Sequence, residues 1–363
     1  MNNQEIVLRR LNNQQIASPT FQTAVDLVRW MGAMQAQDLP MVKWAVGVRL
    51  PDATQQLVET ALNKGDILRT HLLRPTWHLV AADDIWWLLE LSAPQIKTSL
   101  GSRHRELELS DETVNRGLAV IEKALSDRQN LTRNQLIAEL ERANVATDAN
   151  RGYHMLVLAE LEGLICSGVP AGKQNTYTLL AERVPKRSSL NREEALAKLA
   201  KRYFTSHGPA ALPDFVWWSG LSVGDARRGL EMVQSDLVSE TIDSETYWFS
   251  DQTFTPPSGQ ALVYLLPAFD EFIISYRDRS AALPHENFNK VVSNNGIFRP
   301  MIVVDGQVIG IWKRAIKKKQ VVVEASLFVG VDDHTRNLIE EAAGQFGEFL
   351  QKEADVNFSF PSA

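Results

Sequence analysis

The sequence predicts an α+β chain of three helix-rich units, each closed by a hairpin, with a strand-rich region and a final helix behind them. Three observations carry this expectation. Apolar positions keep helical spacing in three successive runs. The period changes to two after each run, at intervals of roughly a hundred residues. Val, Ile, Phe and Tyr then concentrate after residue 260. Helices followed by a two-stranded hairpin are the parts of a winged helix. The expected fold is therefore three tandem winged-helix units followed by a C-terminal small β-barrel and a terminal helix, divided 1–108, 109–187, 188–255 and 256–363.

In the first unit, Glu5 to Leu11 reads as a short helix. Thr20 is placed to cap a longer one through Ala24, Leu27, Val28, Met31 and Met34, which stops near Gln35 because Pro40 cannot continue a helix. Met41 to Val48 is an apolar segment, and Thr54 to Leu62 is a helix stopped at Lys64-Gly65. Ile67 to Leu72 and Thr76 to Val80 alternate around an Arg74-Pro75 break and read as antiparallel strands. The second unit has helices at Asp111 to Leu125, Thr132 to Ala143 and Gly152 to Gly163, then strands at Leu164 to Val169 and Asn175 to Leu180. The third has helices at Asn191 to Thr205, Ala211 to Ser219 and Ser222 to Val233, then strands at Ser239 to Ile242 and Tyr247 to Ser250.

After the break Pro256-Pro257-Ser258-Gly259, strands are expected at Leu262 to Leu266, Phe272 to Tyr276, Phe298 to Val304, Val308 to Lys313 and Val321 to Phe328. Asn294-Asn295-Gly296 and Asp305-Gly306 are the turn signals between them. Five strands in so short a span favour a small barrel. The helix Asp333 to Lys352 packs Leu338, Ile339, Ala342, Phe346 and Phe349 against it.

A hydrophobic content of 44% with 23% charged residues is that of an ordinary globular protein, with disorder expected only at the ends. The longest apolar stretch, Ala261 to Phe269, is too short to span a bilayer, and Met1-Asn2-Asn3-Gln4-Glu5 leads into no apolar run; a cytoplasmic protein without membrane contact is expected. The single cysteine, Cys166, excludes an intramolecular disulfide and a thiolate zinc cluster. A net charge of −6 argues mildly against nucleic acid, yet its distribution is polarised. Within 290–320, Lys290, Arg299, Lys313, Arg314, Lys317, Lys318 and Lys319 face one acid, Asp305. That run reads either as a solvated face or as a DNA-contacting surface.

The stretch with chemical character is Met34-Gln35-Ala36-Gln37-Asp38-Leu39-Pro40. In extended backbone, side chains two apart share a face, so the two primary amides of Gln35 and Gln37 can hold a water between them. The competing reading is a polar helix end with two solvated glutamines. Asp38 reads as a cap or a solvated side chain.

The chain resembles the bacterial AlkZ-like winged-helix DNA glycosylases of the azinomycin-resistance type. Gln35-Ala36-Gln37 is similar to that family's glutamine-hydrophobic-glutamine motif. Leu72-Leu73-Arg74-Pro75-Thr76-Trp77-His78-Leu79-Val80, Pro267-Ala268-Phe269-Asp270-Glu271-Phe272, Tyr276-Arg277-Asp278-Arg279, Gly296-Ile297-Phe298-Arg299-Pro300 and Trp312-Lys313-Arg314 continue the resemblance to the last unit. It implies three winged-helix units held in a concave arrangement by a β-barrel. It also implies excision of alkylated purines, cross-linked ones included, from double-stranded DNA, with Gln35 and Gln37 as the catalytic pair. A hairpin at Val291 to Phe298, with Asn294 and Asn295 at its tip and Lys290 and Arg299 at its base, is by the same resemblance a minor-groove probe. No cofactor, metal or protein partner is implied.

A purine alkylated at N7 carries its own positive charge and leaves readily, so orienting a water is the remaining task, one that carboxamides perform without acting as acids or bases. No lysine adjoins the pair, which predicts monofunctional hydrolysis without a Schiff base. His71 and His78 are too few ligands for a metal site. Asp270-Glu271 reads as strand residues on opposite faces, in ion pairs with Arg277 or Arg279, and the Trp86-Trp87 and Trp217-Trp218 pairs read as core. The alternatives to a glycosylase are a non-catalytic winged-helix regulator and an acidic protein-interaction scaffold.

Overall fold

The structure, a computed structural model, describes residues 1–127, 129–186, 190–251 and 261–360. The Pro256-Pro257-Ser258-Gly259 break lies outside them. Helix α1 (Asn3–Asn13) opens the chain, capped by Asn2. After it, one order of elements occurs three times: a helix, a two-residue strand, two helices and a hairpin. The first copy is α2 (Ala24–Met31), β1 (Met34–Gln35), α3 (Leu39–Gly47), α4 (Gln55–Lys64), β2 (Ile67–Leu72) and β3 (Thr76–Ala81). Helix α5 (Ile85–Glu106) then leads to α6 (Asp111–Leu125), β4 (Leu131–Thr132), α7 (Arg133–Arg142), α8 (Arg151–Leu161), β5 (Ile165–Ser167) and β6 (Thr176–Leu179). The short α9 (Leu180–Arg183) precedes the third copy: α10 (Arg192–Ser206), β7 (Ala210–Ala211), α11 (Leu212–Ser219), α12 (Val223–Val233), β8 (Val238–Ile242) and β9 (Glu245–Phe249). Each copy makes a three-stranded sheet in which the short strand pairs with the second hairpin strand: β1-β3-β2, β4-β6-β5 and β7-β9-β8.

The short strands are absent from the sequence reading, because two residues carry no detectable period. Their presence moves the boundaries of α2. Thr23, rather than Thr20, caps it by accepting from the Asp26 amide, and Gly32 ends it at φ +78°. Met34 belongs to β1 instead of the helix. Pro40 does not stop a helix but sits in the first turn of the next one, where its missing N–H costs nothing. No described helix is long and apolar enough to cross a membrane.

The C-terminal region corrects the expected barrel. Strands β10 (Val263–Leu266), β11 (Met301–Val304), β12 (Gln307–Ile316), β13 (Gln320–Leu327) and β14 (Glu353–Ser359) form one five-stranded sheet in sequence order, with β10 and β14 as unpaired edges among the described residues. Helix α15 (Asp333–Leu350) packs against both edge strands. Phe272 to Tyr276 contributes no strand: Asp270 accepts from the Phe272 amide at 2.9 Å and caps the short helix α13 (Glu271–Ile274). Strand β14, unanticipated, supplies the fifth position by running parallel to β13. The expected hairpin at Val291 to Phe298 lies outside the sheet. It is a turn that follows the short helix α14 (Phe288–Val291) and is closed by a single bridge between Val292 and Phe298.

Two cores tie the first copy to the rest. Its helices share a core with the C-terminal sheet, where the Phe346 ring lies 5.1 Å from both Trp44 and Trp312. Its hairpin and α5 share another with the third copy, through Tyr203, Phe215 and Trp218.

One buried ion pair crosses this arrangement. Arg49 is fully buried, and its guanidinium donates to the Gln14 carbonyl, the Ala45 carbonyl, Gln14 Oε1 and both oxygens of Asp270, at 2.8–3.0 Å. Its neighbour Glu271 is also buried. Oε1 accepts the Gln35 amide at 2.5 Å, while Oε2 accepts Trp218 Nε1 at 3.1 Å and the Ser275 hydroxyl. Burial pushes the Glu271 carboxyl up, but the His207 ring, Ser275 and the Gln35 amide outweigh it and hold the group lowered, to about 2. Neither acid pairs with Arg277 or Arg279 as expected from sequence, because they head a helix and turn inward rather than alternating on a strand.

Arg49→Met, which strands the Asp270 carboxylate, is expected to cost about 3–5 kcal/mol in urea unfolding, and Arg49→Met with Asp270→Leu to recover part of it. Because its folded value is depressed, Glu271 contributes stability above its ordinary value of 4.5, lost as pH falls towards about 2. The Glu271→Gln variant is expected to show a shallower loss of stability over that acid range in a pH series of thermal melts.

Candidate active site

The site begins with a difference between the three copies. In the second, Thr132 ends β4 and is itself the cap of α7; in the third, Ala211 ends β7 and occupies the cap position of α11. In the first, β1 ends at Gln35, yet the cap of α3 is Asp38, three residues later. The extension Ala36-Gln37-Asp38 is specific to this copy. Asp38 accepts from the Met41 amide at 3.1 Å, which is the capping role read from sequence.

Within the extension, backbone bonds set each side chain. The Gln35 amide is held by Glu271, and in the sheet register Gln35 stands opposite His78. Ala36 is fully buried; its amide donates to the Trp77 carbonyl at 2.6 Å and its carbonyl accepts from Arg69 Nε at 2.9 Å. Its neighbours therefore have different settings. Gln35 is 6% exposed, and its Oε1 accepts from Arg74 Nη2 at 2.7 Å. The Gln37 side chain is exposed and makes no hydrogen bond among the described residues. One amide is thus held in place, and the other is open to solvent.

Two ionisable groups lie against the Gln35 backbone, and burial and its neighbours fix the charge of each. Burial, then the Arg74 charge, lowers His78 to about 3, so its ring is neutral. Glu271 is held ionised beneath the Gln35 backbone with its lone pairs taken up by donors. His71 is not the cross-strand partner of His78: it pairs with Trp77 in the register, and its Nδ1 meets the buried Glu160. Glu160 itself is raised by burial.

The basic residues read from sequence fall into two groups. Lys313 is exposed on β12, Arg314 is half-buried with Nη2 3.9 Å from Asp38, and Lys317, Lys318 and Lys319 form the exposed turn between β12 and β13. This hairpin is joined to the glutamine extension through Arg314. The second group belongs to the turn after α14. Lys290 donates to Asn287 at 2.9 Å and lies 4.8 Å over the Phe328 ring, Arg299 donates to the Lys290 carbonyl, and Asn294 and Asn295 are exposed. On the return limb of that turn Ile297 is 50% exposed.

Four residues near the glutamines had no functional reading in the sequence: Arg74, Arg69, Glu271 and Trp217. Trp218 is core as expected, but Trp217 is 40% exposed, with Arg74 5.6 Å and Arg279 5.2 Å from its ring. The signal that could have separated the two tryptophans is helical phase, since adjacent residues point about 100° apart. A cavity of about 670 Å³ opens just past the extension, between Leu39 and Pro40 on one side and Arg133 and Tyr177 of the second copy on the other, with Arg69 and Trp77 among its lining residues.

A family model, DNA glycosylase AlkZ-like, matches residues 28–349. The interstrand DNA cross-link repair glycosylase of Streptomyces sahachiroi is 23% identical over 326 residues, covering 84% of this chain and 85% of that protein. The solved structure of Streptomyces sahachiroi DNA glycosylase AlkZ superposes with a TM-score of 0.82 at 20% identity, covering 99% of this chain and all of the other, a likeness of fold. With the family model spanning most of its length, from α2 through α15, the chain belongs to the AlkZ-like family of DNA glycosylases.

Proposed function

We propose that this protein hydrolyses the N-glycosidic bond of N7-alkylated purines in duplex DNA, with Gln35 and Gln37 holding the attacking water. The observation that supports this most is the unequal pair of amides: Gln35 fixed at both its backbone and its carbonyl, and Gln37 exposed two residues on. Water bonds to C1′ as the C1′–N9 bond breaks. The bonding electrons neutralise the cationic purine, and the water's proton passes to solvent. Carboxamide dipoles assist by orienting the water and facing the positive sugar without reorganising. With His78 lowered to about 3 and Glu271 lowered to about 2, neither group against Gln35 is a general acid at neutral pH, which agrees with a substrate that supplies its own leaving-group activation.

In this reading the three repeated copies are winged helices, and the β12–β13 turn with Lys317, Lys318 and Lys319, together with Lys313 and Arg314, lies along the DNA backbone. Lys290, Asn294, Asn295 and Arg299 present the second turn to a groove, where the exposed Ile297 has the apolar character of minor-groove wedges. Interstrand cross-links, the lesion in the relative's name, fit the same chemistry when their attachment is at purine N7.

Release of free 7-methylguanine from methylated duplex DNA is the direct test. Gln35→Ala with Gln37→Ala is expected to lower the rate at least about 10²-fold while DNA affinity holds, with a lowered melting temperature because Arg74 loses its Gln35 acceptor; Gln37→Ala alone, at the exposed position, is expected to slow release at an unchanged melting temperature. Unchanged release by the double variant would remove the glutamines from the mechanism, and no release by the wild type would remove the enzymatic reading. Replacing Lys317, Lys318 and Lys319 by glutamine is expected to flatten the salt dependence of DNA binding by about 0.9 in the log-log slope for each phosphate that the variant no longer neutralises.

A further inference from the structure

Arg74 lies in the block Leu72-Leu73-Arg74-Pro75, to which the reaction above assigns no role. Its placement is exacting. Leu73 adopts φ +58°, its amide donates to Ser92 Oγ at 3.3 Å, and Gly220 packs so close that a Cβ there would sit 2.3 Å from the Leu73 carbonyl oxygen. Gly220 itself holds φ +68° as the cap of α11, so the end of α11 presses the Arg74 turn into position.

From that turn the guanidinium donates to Gln35 Oε1 and lies beside the Trp217 ring. Trp217 Nε1 in turn donates to the Ile274 carbonyl at 2.8 Å, at the end of α13. Helix α13 begins with Glu271, the carboxylate that accepts the Gln35 amide. A closed ring results: Gln35 amide, Glu271, α13, Trp217, Arg74 and back to Gln35 Oε1. One four-residue helix therefore fixes Gln35 at two points, directly through its backbone and indirectly through its side chain.

We propose that Arg74 is a positioning residue for Gln35, and that Trp217 keeps it in place. The inference rests on the glycosylase reading for its catalytic consequence. A carboxamide can turn over with little steric change, exchanging its acceptor for its donor. A guanidinium has donors only, so it selects the orientation with Oε1 towards Arg74. The second lone pair of that oxygen is left to accept a proton of the attacking water, and the Gln35 Nε2 group has no partner among the described residues. Without Arg74 the carboxamide samples both orientations, and the water loses a fixed acceptor.

The test uses the full chain and a duplex carrying one 7-methylguanine, with single-turnover excision at saturating enzyme measured separately from DNA affinity. Arg74→Ala is expected to lower the rate about 10- to 100-fold while affinity changes less than about threefold. Arg74→Lys, which keeps the charge and guards against a folding defect in the alanine variant, is expected to be slowed less. A second readout does not depend on activity: the Gln35 side-chain amide signal in a nitrogen-15 correlation spectrum is expected to shift and broaden in both variants. A rate within about threefold of wild type, a drop carried entirely by affinity, or an unperturbed Gln35 signal would overturn the proposal. If the wild type releases no base while the Gln35 signal responds as expected, the catalytic reading fails and the positioning contact stands.

Discussion

The buried contact between Arg49 and Asp270 is the constraint on which the site depends. Two charges removed from water are costly unless every donor and acceptor is used, and here all five guanidinium N–H groups find oxygen. The pair does more than balance itself. Asp270 also caps α13, a helix of four residues that has no stability in isolation. Arg49 follows α3, whereas Asp270 follows β10, so the bond locks the first copy to the C-terminal sheet. Glu271, next in the chain, is then directed under Gln35, and Ile274 and Ser275 receive Trp217 and Tyr203 from the third copy. Three parts of the chain meet on one turn of helix.

That meeting explains why a thrice-repeated architecture carries one candidate active site. The strand-to-helix junction is present in each copy, but only in the first are three residues inserted there, and only there does α13 supply a carboxylate to the strand's last amide. The extension departs from the regular unit at the point where it faces another part of the molecule. The repeated copies hold it in place through shared cores, and the candidate site is the irregularity.

Much of the helical content was legible because amphipathic spacing is a local property. The helices of the second and third copies follow from their apolar periodicity, and the hairpins from alternation flanked by turn residues. The missed strands share one cause. β1, β4 and β7 are two residues long and exist only because a later strand pairs with them. β14 alternates between exposed and half-buried residues and takes its place by pairing along β13. Phe272 to Tyr276 has the composition of a strand, but its Asp270 cap and the inward turn of Glu271 make it a helix.

The same division holds at the site. Gln35-Ala36-Gln37 and the lysine-rich stretch are recognisable from residue identity, since carboxamides and clustered ammonium groups have limited chemical repertoires. Sequence alone thus determined the repeated helix-hairpin plan, the glutamine motif and the polarised charge. Tertiary structure decided that Gln35 is buried and doubly held while Gln37 is exposed, that Trp217 differs from Trp218, and that Arg74 and Glu271 contact Gln35. Arg74 is 39 residues from Gln35 and Glu271 is 236. Contacts over such separations come from packing between elements, which local periodicity does not encode.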